Sequence, residues 1–336
     1  MFQVNVTRLI LNNYPYIYII TKISSINYNP DFVLSRNSYI ASSLIICMFL
    51  NALPTFAGEF YDTLTTIQKR NRVISLSTGF AVGYTTSLVL LNRAWYSQDT
   101  RSSFHFHDDL HYWNQMDKAG HAYTAFHQSR AGIDALRWAG VKEKKAIWIG
   151  GMMGIVLQTP IELFDGFSSE YGASVSDFAA NILGSAGVIA QELTWGEIRI
   201  MPKFSFRPTP YDPNRLEMFG NSLPEQILQD YNGQSYWLSV DVAAFLKKDS
   251  RFPKWLNIAA GYGAGGMVYG DPVKNRLAGH QSYRQFFLSP DIDLRYLPVK
   301  SRFLKTAIYL LSMYRIPMPA VEYNTRNQWK LHTLYY

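Results

Sequence analysis

At Ile198 the hydrophobic pattern of the chain changes period, and that change sets the broad plan of the fold. From there on, apolar and polar residues alternate in short segments separated by turn residues, the mark of half-buried strands. Ile198, Ile200, Phe204 and Phe206 alternate with Arg199, Met201, Lys203 and Ser205. Tyr236 to Val242, Leu256 to Tyr262 and Phe286 to Leu294 do the same. A fifth strand is expected at Ala320–Tyr323 or at Trp329–Tyr336. A single-chain transmembrane barrel needs at least about eight strands. The expectation is therefore a small antiparallel sheet.

Upstream of that point the segments are helical in length and punctuation. After the basic patch Lys69-Arg70-Asn71-Arg72, residues Val73 to Leu91 carry no charge, a stretch long enough to cross a membrane. Large and small residues alternate within it, but its length without a turn signal exceeds an ordinary strand, so a helix is expected. Gly79 and Gly83, four apart, suit a close-packed helix pair, as do Gly150 and Gly154. Capping and breaker signals predict three more helices: Asp117 to about Trp138, about Glu143 to Phe164, and Ser174 to about Leu193. The fold class read from this is α+β: a helical bundle of about four helices followed by a small antiparallel β-rich region. The corresponding division is 1–57 as N-terminal extension and signal peptide, 58–196 as helical domain, and 197–336 as β-rich region, with Arg207-Pro208-Thr209-Pro210 the nearest thing to a hinge.

The N-terminus carries an address. Arg36, the apolar run Tyr39 to Leu50 and the segment Leu53-Pro54-Thr55-Phe56-Ala57 follow the order of a secretory signal peptide, with cleavage expected after Ala57. The Asn-, Ile- and Tyr-rich residues 1–35 do not fit such a peptide, and translation is expected to start near Arg36. The single cysteine, Cys47, falls inside the removed segment, so disulfides, thiolate metal sites and a cysteine nucleophile are excluded from the mature chain. Ile46 precedes it where a lipidation signal needs a small residue. A charged fraction of 17% and an aromatic fraction of 15% favour a membrane-associated protein of the cell envelope, periplasm or outer membrane, over a tyrosine-rich soluble β protein. The net charge of +7 suits anionic lipid headgroups. The basic residues are scattered and match no nucleic-acid motif, so a membrane lipid or another envelope component is the expected partner.

Three polar clusters lie at the ends of the predicted helices: Asp117, Lys118 and His121; Glu162 and Asp165; Ser174, Asp177 and Asn181. Antiparallel neighbours would bring all three to one end. Asp117 and His121 share a face with Gln128, Gln158 and Glu162 with Asp165, and Asp177 and Asn181 with Gly184. An imidazole among carboxylates suits a divalent cation, with His121, Glu162 and Asp177 as its ligands, or a general acid–base pair. A purely structural network explains much of the same pattern. Asp117 and Ser174 read as N-caps, and Asp177 completes a capping pattern. Glu162 and Asp165 sit at a helix C-terminus, where negative charge is disfavoured, so a partner such as His121 or Lys118 is expected.

Two other motifs carry less. His107 and His111, in the run Phe104–His111, would share a helix face as metal ligands, although such a run more often forms a solvated loop. The glycines from Gly261 to Gly266 lack a phosphate-binding fingerprint and suit a flexible strand or bulge. No Gly-x-Ser-x-Gly elbow is present.

The ordered elements Asp-Lys-x-x-His, Glu-x-x-Asp and Gly-x-Ser-x-x-Asp-x-x-x-Asn-x-x-Gly, the last from Gly172 to Gly184, resemble the YfiM-like family of predicted periplasmic lipoproteins. They are more distantly similar to VanZ-like membrane proteins. The resemblance covers roughly Asp117 to Leu193 and makes Asp117, Lys118, His121, Glu162, Asp165, Ser174, Asp177, Asn181 and Gly184 the family positions. It brings no biochemical activity with it. The chain departs from the pattern in its β-rich C-terminal region. The functional expectation is a structural or interaction module of the envelope. The alternative is a metal-assisted enzyme acting on a lipid or glycan headgroup.

Overall fold

The computed structural model describes residues 64–93, 101–209, 219–220 and 222–336. The signal-peptide pattern, Cys47 and the cleavage point at Ala57 lie outside them. The class is α+β: helices α1 to α5 precede a six-stranded sheet.

Helix α1, Thr66–Leu91, starts at a capping box between Thr65 and Gln68 and takes in the basic patch ahead of the uncharged run. Helix α2, Met116–Trp138, is the central one, packed against α3 (Glu143–Gly151), α4 (Met153–Gly166) and α5 (Val175–Trp195). The single helix expected from about Glu143 to Phe164 is thus two, divided at Met152 directly after the pair Gly150-Gly151. Loss of side-chain packing at adjacent glycines makes this the weak point of the run. Close approach is real at Gly150 and Gly154: an added Cβ would lie 2.3 Å from the backbone nitrogen of Ile133 and 2.3 Å from the carbonyl of Ala125. Among the described residues, an added Cβ at Gly79 would meet nothing within 4 Å.

The sheet is an antiparallel meander, each strand pairing with the next: β1 (Ile200–Phe206), β2 (Gln234–Val240), β3 (Leu256–Gly265), β4 (Tyr283–Ile292), β5 (Met318–Asn324) and β6 (Gln328–Tyr335). Both candidates for the last strand form, giving six rather than five. Short helices lie between strands: α6 (Leu223–Gln229), α7 (Val242–Phe245), α8 (Pro272–Leu277) and α9 (Arg302–Leu311). The backbone of Phe204 bonds to Met313 and Arg315, and the Arg315 guanidinium donates to the carbonyl of Tyr335 at 2.8 Å. These bonds stitch β1 to β6 and roll the sheet.

The inside of the roll holds buried polar residues beside an aromatic cluster, and its outer face is mainly apolar. Its register aligns Pro202, Leu238, Ala260, Leu288, Val321 and Leu331 in one outward row and Phe204, Tyr236, Tyr262, Phe286, Tyr323 and Trp329 in the next. Leu238, Leu288 and Leu331 are 53%, 59% and 77% exposed. Inside, Lys203 donates to Asp291 at 2.6 Å, Ser239 donates to the same carboxylate at 2.6 Å, and Asn257 donates to Ser239. Glu322, also buried, accepts from Gln285 and lies 2.7 Å from His332. An aromatic cluster of Trp237, Phe287 and Tyr335 fills the rest.

The roll meets the helices along α2. Tyr123 donates to the Met313 carbonyl, and the ring nitrogen of His127 lies 2.9 Å from the Pro202 carbonyl. Phe126, Ile133, Ile147, Val188 and Ile189 from three helices share one core with Ile198 and Met201 of the sheet side.

Candidate functional site

The first turn of α2 follows an unusual piece of backbone. Trp113, Asn114 and Gln115 have φ of 50°, 49° and 63°, a left-handed run without glycine. Such residues are held only where surroundings over-determine them. Here the sheet does so: Tyr262 donates to the Asn114 carbonyl, Arg284 donates to Gln115 at 2.6 Å, and Trp113 stacks beside Tyr231. The cap of α2 is therefore Gln115, not Asp117, which lies inside the first turn. The Asp117 carboxylate is turned instead to the Tyr231 hydroxyl, which donates to it at 2.8 Å, and to Lys118 at 3.2 Å.

At the start of α5, Ser174 is the N-cap, its hydroxyl accepting from the Asp177 N–H at 3.0 Å. The capping pattern stops there, because the Asp177 side chain goes to Lys118 at 3.0 Å. That contact has ion-pair distance without hydrogen-bond alignment, so Asp177 Oδ1 remains short of a directed donor among the described residues. Glu162, in the last turns of α4, accepts from the Ser174 N–H at 3.1 Å. A carboxylate disfavoured at its own helix end thus meets the N-terminus of the next helix, where negative charge is favourable.

These elements converge on His121. Its Nδ1 lies 3.1 Å from Asn181 Oδ1, while Nε2 faces Asp117 at 3.9 Å, Glu162 at 3.9 Å and Asp177 at 4.0 Å. Gln158 donates to the His121 carbonyl at 3.2 Å. An Nδ1–H donated to Asn181 leaves the Nε2 edge directed at the carboxylates. Asn181 is fully buried, and its Nδ2 has no hydrogen-bond partner among the described residues. Asp117, His121 and Asp177 offer ligand atoms all within 4.8 Å of one another. Asp165 does not join this set; it is half-buried at the end of α4 and acts on Glu162 through its charge.

Asp109 was not singled out by spacing. Its carboxylate takes Lys118 at 2.6 Å and the hydroxyls of Ser174 and Ser176 at 2.6 and 2.8 Å. It arrives because the histidine-rich run is extended rather than helical, a strap bonded to residues 166–173. His107 and His111 accordingly share no helix face. His105 caps the Tyr171 carbonyl at 3.0 Å and His107 packs its ring on Tyr112. Tyr231 also escaped notice, since nothing local in the sequence marks a tyrosine as the partner of a distant aspartate.

The electrostatics follow from burial and crowding. Burial alone would raise the Asp109 carboxyl, but Lys118 and the two serine hydroxyls pull it down to about 2. Burial would release the Lys118 proton; Asp117 and Asp177 hold it, and the ammonium stays charged above the ordinary lysine range. Burial pushes the Glu162 carboxyl up against the pull of His121 and the Ser174 N–H, and the charges of Asp177 and Asp165 add to the rise. Asp177 is raised by burial and by Asp117. His121 is raised because Asp117, Asp177 and Glu162 outweigh its burial. Burial, with neighbouring carboxylates, raises Glu162 and Asp177; the carboxylates raise His121 against its burial; Lys118 and the serine hydroxyls hold Asp109 down.

This is a carboxylate–imidazole layer at one end of a helical assembly braced by a rolled sheet. Residues 106–191, well under half of the chain, match a family described as "Predicted periplasmic lipoprotein (DUF2279)". The match contains every family position named from the motifs, and Asp109 as well. Its description supports an exported, envelope-associated protein, the address expected from the N-terminal pattern. None of the curated proteins matches the chain, and none of the solved structures does.

Proposed function

We propose that this envelope-associated protein is a non-enzymatic structural or interaction module whose layer of Asp117, His121, Glu162 and Asp177 binds a divalent cation. The observation that carries the reading is the position of His121 Nε2, 3.9 to 4.0 Å from three carboxylate oxygens. These separations are too long for hydrogen bonds. Neighbouring ligands that share an ion with bonds of about 2.0 to 2.4 Å lie about 2.8 to 3.9 Å apart, so a small inward movement of these side chains would complete the set. Asn181 fixes the imidazole from behind, as an outer partner does for a metal-bound histidine. With Asp109, four carboxylates face one lysine and one histidine, a deficit of positive charge that a divalent ion would correct.

The test is a titration of the purified full chain with Mn²⁺ and Zn²⁺, read by calorimetry and thermal unfolding. The parent is expected to bind near one equivalent and unfold at higher temperature, and Glu162→Gln and His121→Gln to weaken binding by about tenfold or more. No binding at millimolar metal, with the folded parent in hand, overturns the cation reading and leaves a closed ion-pair network. The enzymatic alternative is favoured by the partial exposure of the Asp117 and His121 side chains, 23% and 18%. It requires metal-dependent turnover of a lipid or glycan headgroup; binding without turnover keeps the module reading.

A further inference from the structure

The outer face of the sheet departs from the arrangement expected of a sheet in water. A soluble antiparallel sheet with one covered face puts its apolar side in and its polar side out. In this roll Ser239, Asp291 and Asn324 are fully buried, whereas the aliphatic row carries leucines more than half exposed. A third row continues the apolar surface, pairing Ile200, Val240, Ile258 and Pro290. From Leu256 to Tyr262 the apolar surface of β3 extends six residue steps, about 20 Å at the rise of an antiparallel strand. Across the strands, exposed Leu238 on β2 to exposed Val321 on β5 span three spacings of about 4.8 Å, about 14 Å along the curved sheet. Helix α2 and the turn before it cover the aromatic row from β1 to β3, through Phe204 and Tyr236 against Tyr123 and through the Tyr262 hydroxyl on Asn114. What is left is of the order of a few hundred Å², the size of the apolar patches that on monomers in water are often functional.

The margins of this surface indicate its occupant. The loop after β2, at one end of the strands, carries exposed Lys247, Lys248, Arg251 and Lys254 beside exposed Phe245 and Trp255. At the opposite end, beyond the aromatic row, stands exposed Arg326. An apolar plateau with aromatic residues and exposed cations at its margins matches the layering of a membrane surface, acyl chains under the aliphatic rows and anionic headgroups at the rim. A second copy laid face to face would bring like charges together at these rims.

We propose that the outward face of the rolled sheet lies on one leaflet of an anionic phospholipid bilayer, its aliphatic rows among the acyl chains and its basic margins at the headgroups. The roll rests on the membrane on the side of β2 to β4, where Leu238, Ile258 and Leu288 are exposed, and no strand crosses it.

The test places a nitroxide at Leu288→Cys, and separately at Leu238→Cys, in the full chain with Cys47→Ser. Both leucines are exposed, so the polar interior is untouched. Collisional accessibility to oxygen and to a water-soluble nickel chelate is measured with and without vesicles of phosphatidylethanolamine and phosphatidylglycerol. The expected result is a shift from nickel to oxygen accessibility at both positions on adding vesicles. Labels that stay nickel-accessible in vesicle-bound protein overturn the proposal, whatever other segment attaches the chain. Labels shielded before lipid is added, with dipolar broadening between copies, also overturn it and assign the face to a second copy. Neither result bears on cation binding at His121.

Discussion

At the scale of single residues, His127 shows how the helix–sheet contact governs chemistry. Its Nε2 lies 2.9 Å from the Pro202 carbonyl, its ring packs between Tyr123 and Phe126, and its Nδ1 has no partner among the described residues. A neutral ring donating from Nε2 satisfies this environment; an imidazolium does not. Burial, then the charge of Arg130, lowers its pKa to about 3. The unfolded chain takes up that proton near pH 6.5. Because the folded pKa is depressed, the folded state binds the proton less readily than the unfolded one. Stability from this group is intact above about pH 6.5 and is lost as pH falls towards 3, at a limiting slope of about 1.4 kcal/mol per pH unit. His127→Gln is expected to flatten denaturation midpoints between pH 6 and pH 4 by the equivalent of about one proton. An unchanged slope would show that His127 titrates normally. The same scale explains what spacing missed: Asp117 with His121, and Asp177 with Asn181, stand at helical intervals, whereas Asp109 and Tyr231 reach the layer only through a strap and a loop with no periodicity.

At the scale of elements, Gly184 decides how near α5 approaches α2. A Cβ there would lie 2.2 Å from the Ala122 carbonyl oxygen, a backbone atom that cannot swing aside. The close crossing puts Asn181 and Asp177, on the same face of α5, within reach of His121. Gly184→Ala is expected to cost about 1 to 3 kcal/mol by chemical denaturation, since the helices must separate to admit the methyl group. A loss below about 0.5 kcal/mol would mean that the pair parts freely. The helices were legible because capping signals and breakers are local: Ser174 caps α5 and Gly196 ends it in a left-handed turn. The division at Met152 was not, because helical periodicity runs through it. The strands were legible too, but not their orientation. Alternation fixes which residues share a face; it does not say which face is buried. Leu238 and Leu288 alternate with Trp237 and Phe287 in a pattern that suits either answer, and only closure of the roll by Arg315 and Tyr335 put the polar residues inside.

At the scale of the whole molecule, the change of period near Ile198 marks a change of secondary structure, while the packing on either side of it is continuous. Phe126 and Ile133 of α2, Ile147 of α3 and Val188 and Ile189 of α5 share a core with Ile198 and Met201. Arg130, buried on α2, stacks over the Tyr309 ring of α9 at 4.1 Å and donates to Ser312 at 3.4 Å. The left-handed turn ahead of Asp117 is held by Tyr262 and Arg284 of the sheet. A fragment ending at residue 196 therefore loses part of its core, exposes Tyr123 and Arg130, and gives up the groups that hold that turn. Removal of buried side chains costs about 2 to 5 kcal/mol each, comparable to the whole stability of many domains. The expectation is that residues 58–196 alone unfold at much lower denaturant than the full chain, or fail to fold. The full chain should lose helix and near-ultraviolet aromatic signals in one coincident transition. A fragment as stable as its parent, or two separated transitions, would show that the helices and the roll are independent units and that the sheet is not needed to hold Asp117 and Lys118 in the layer.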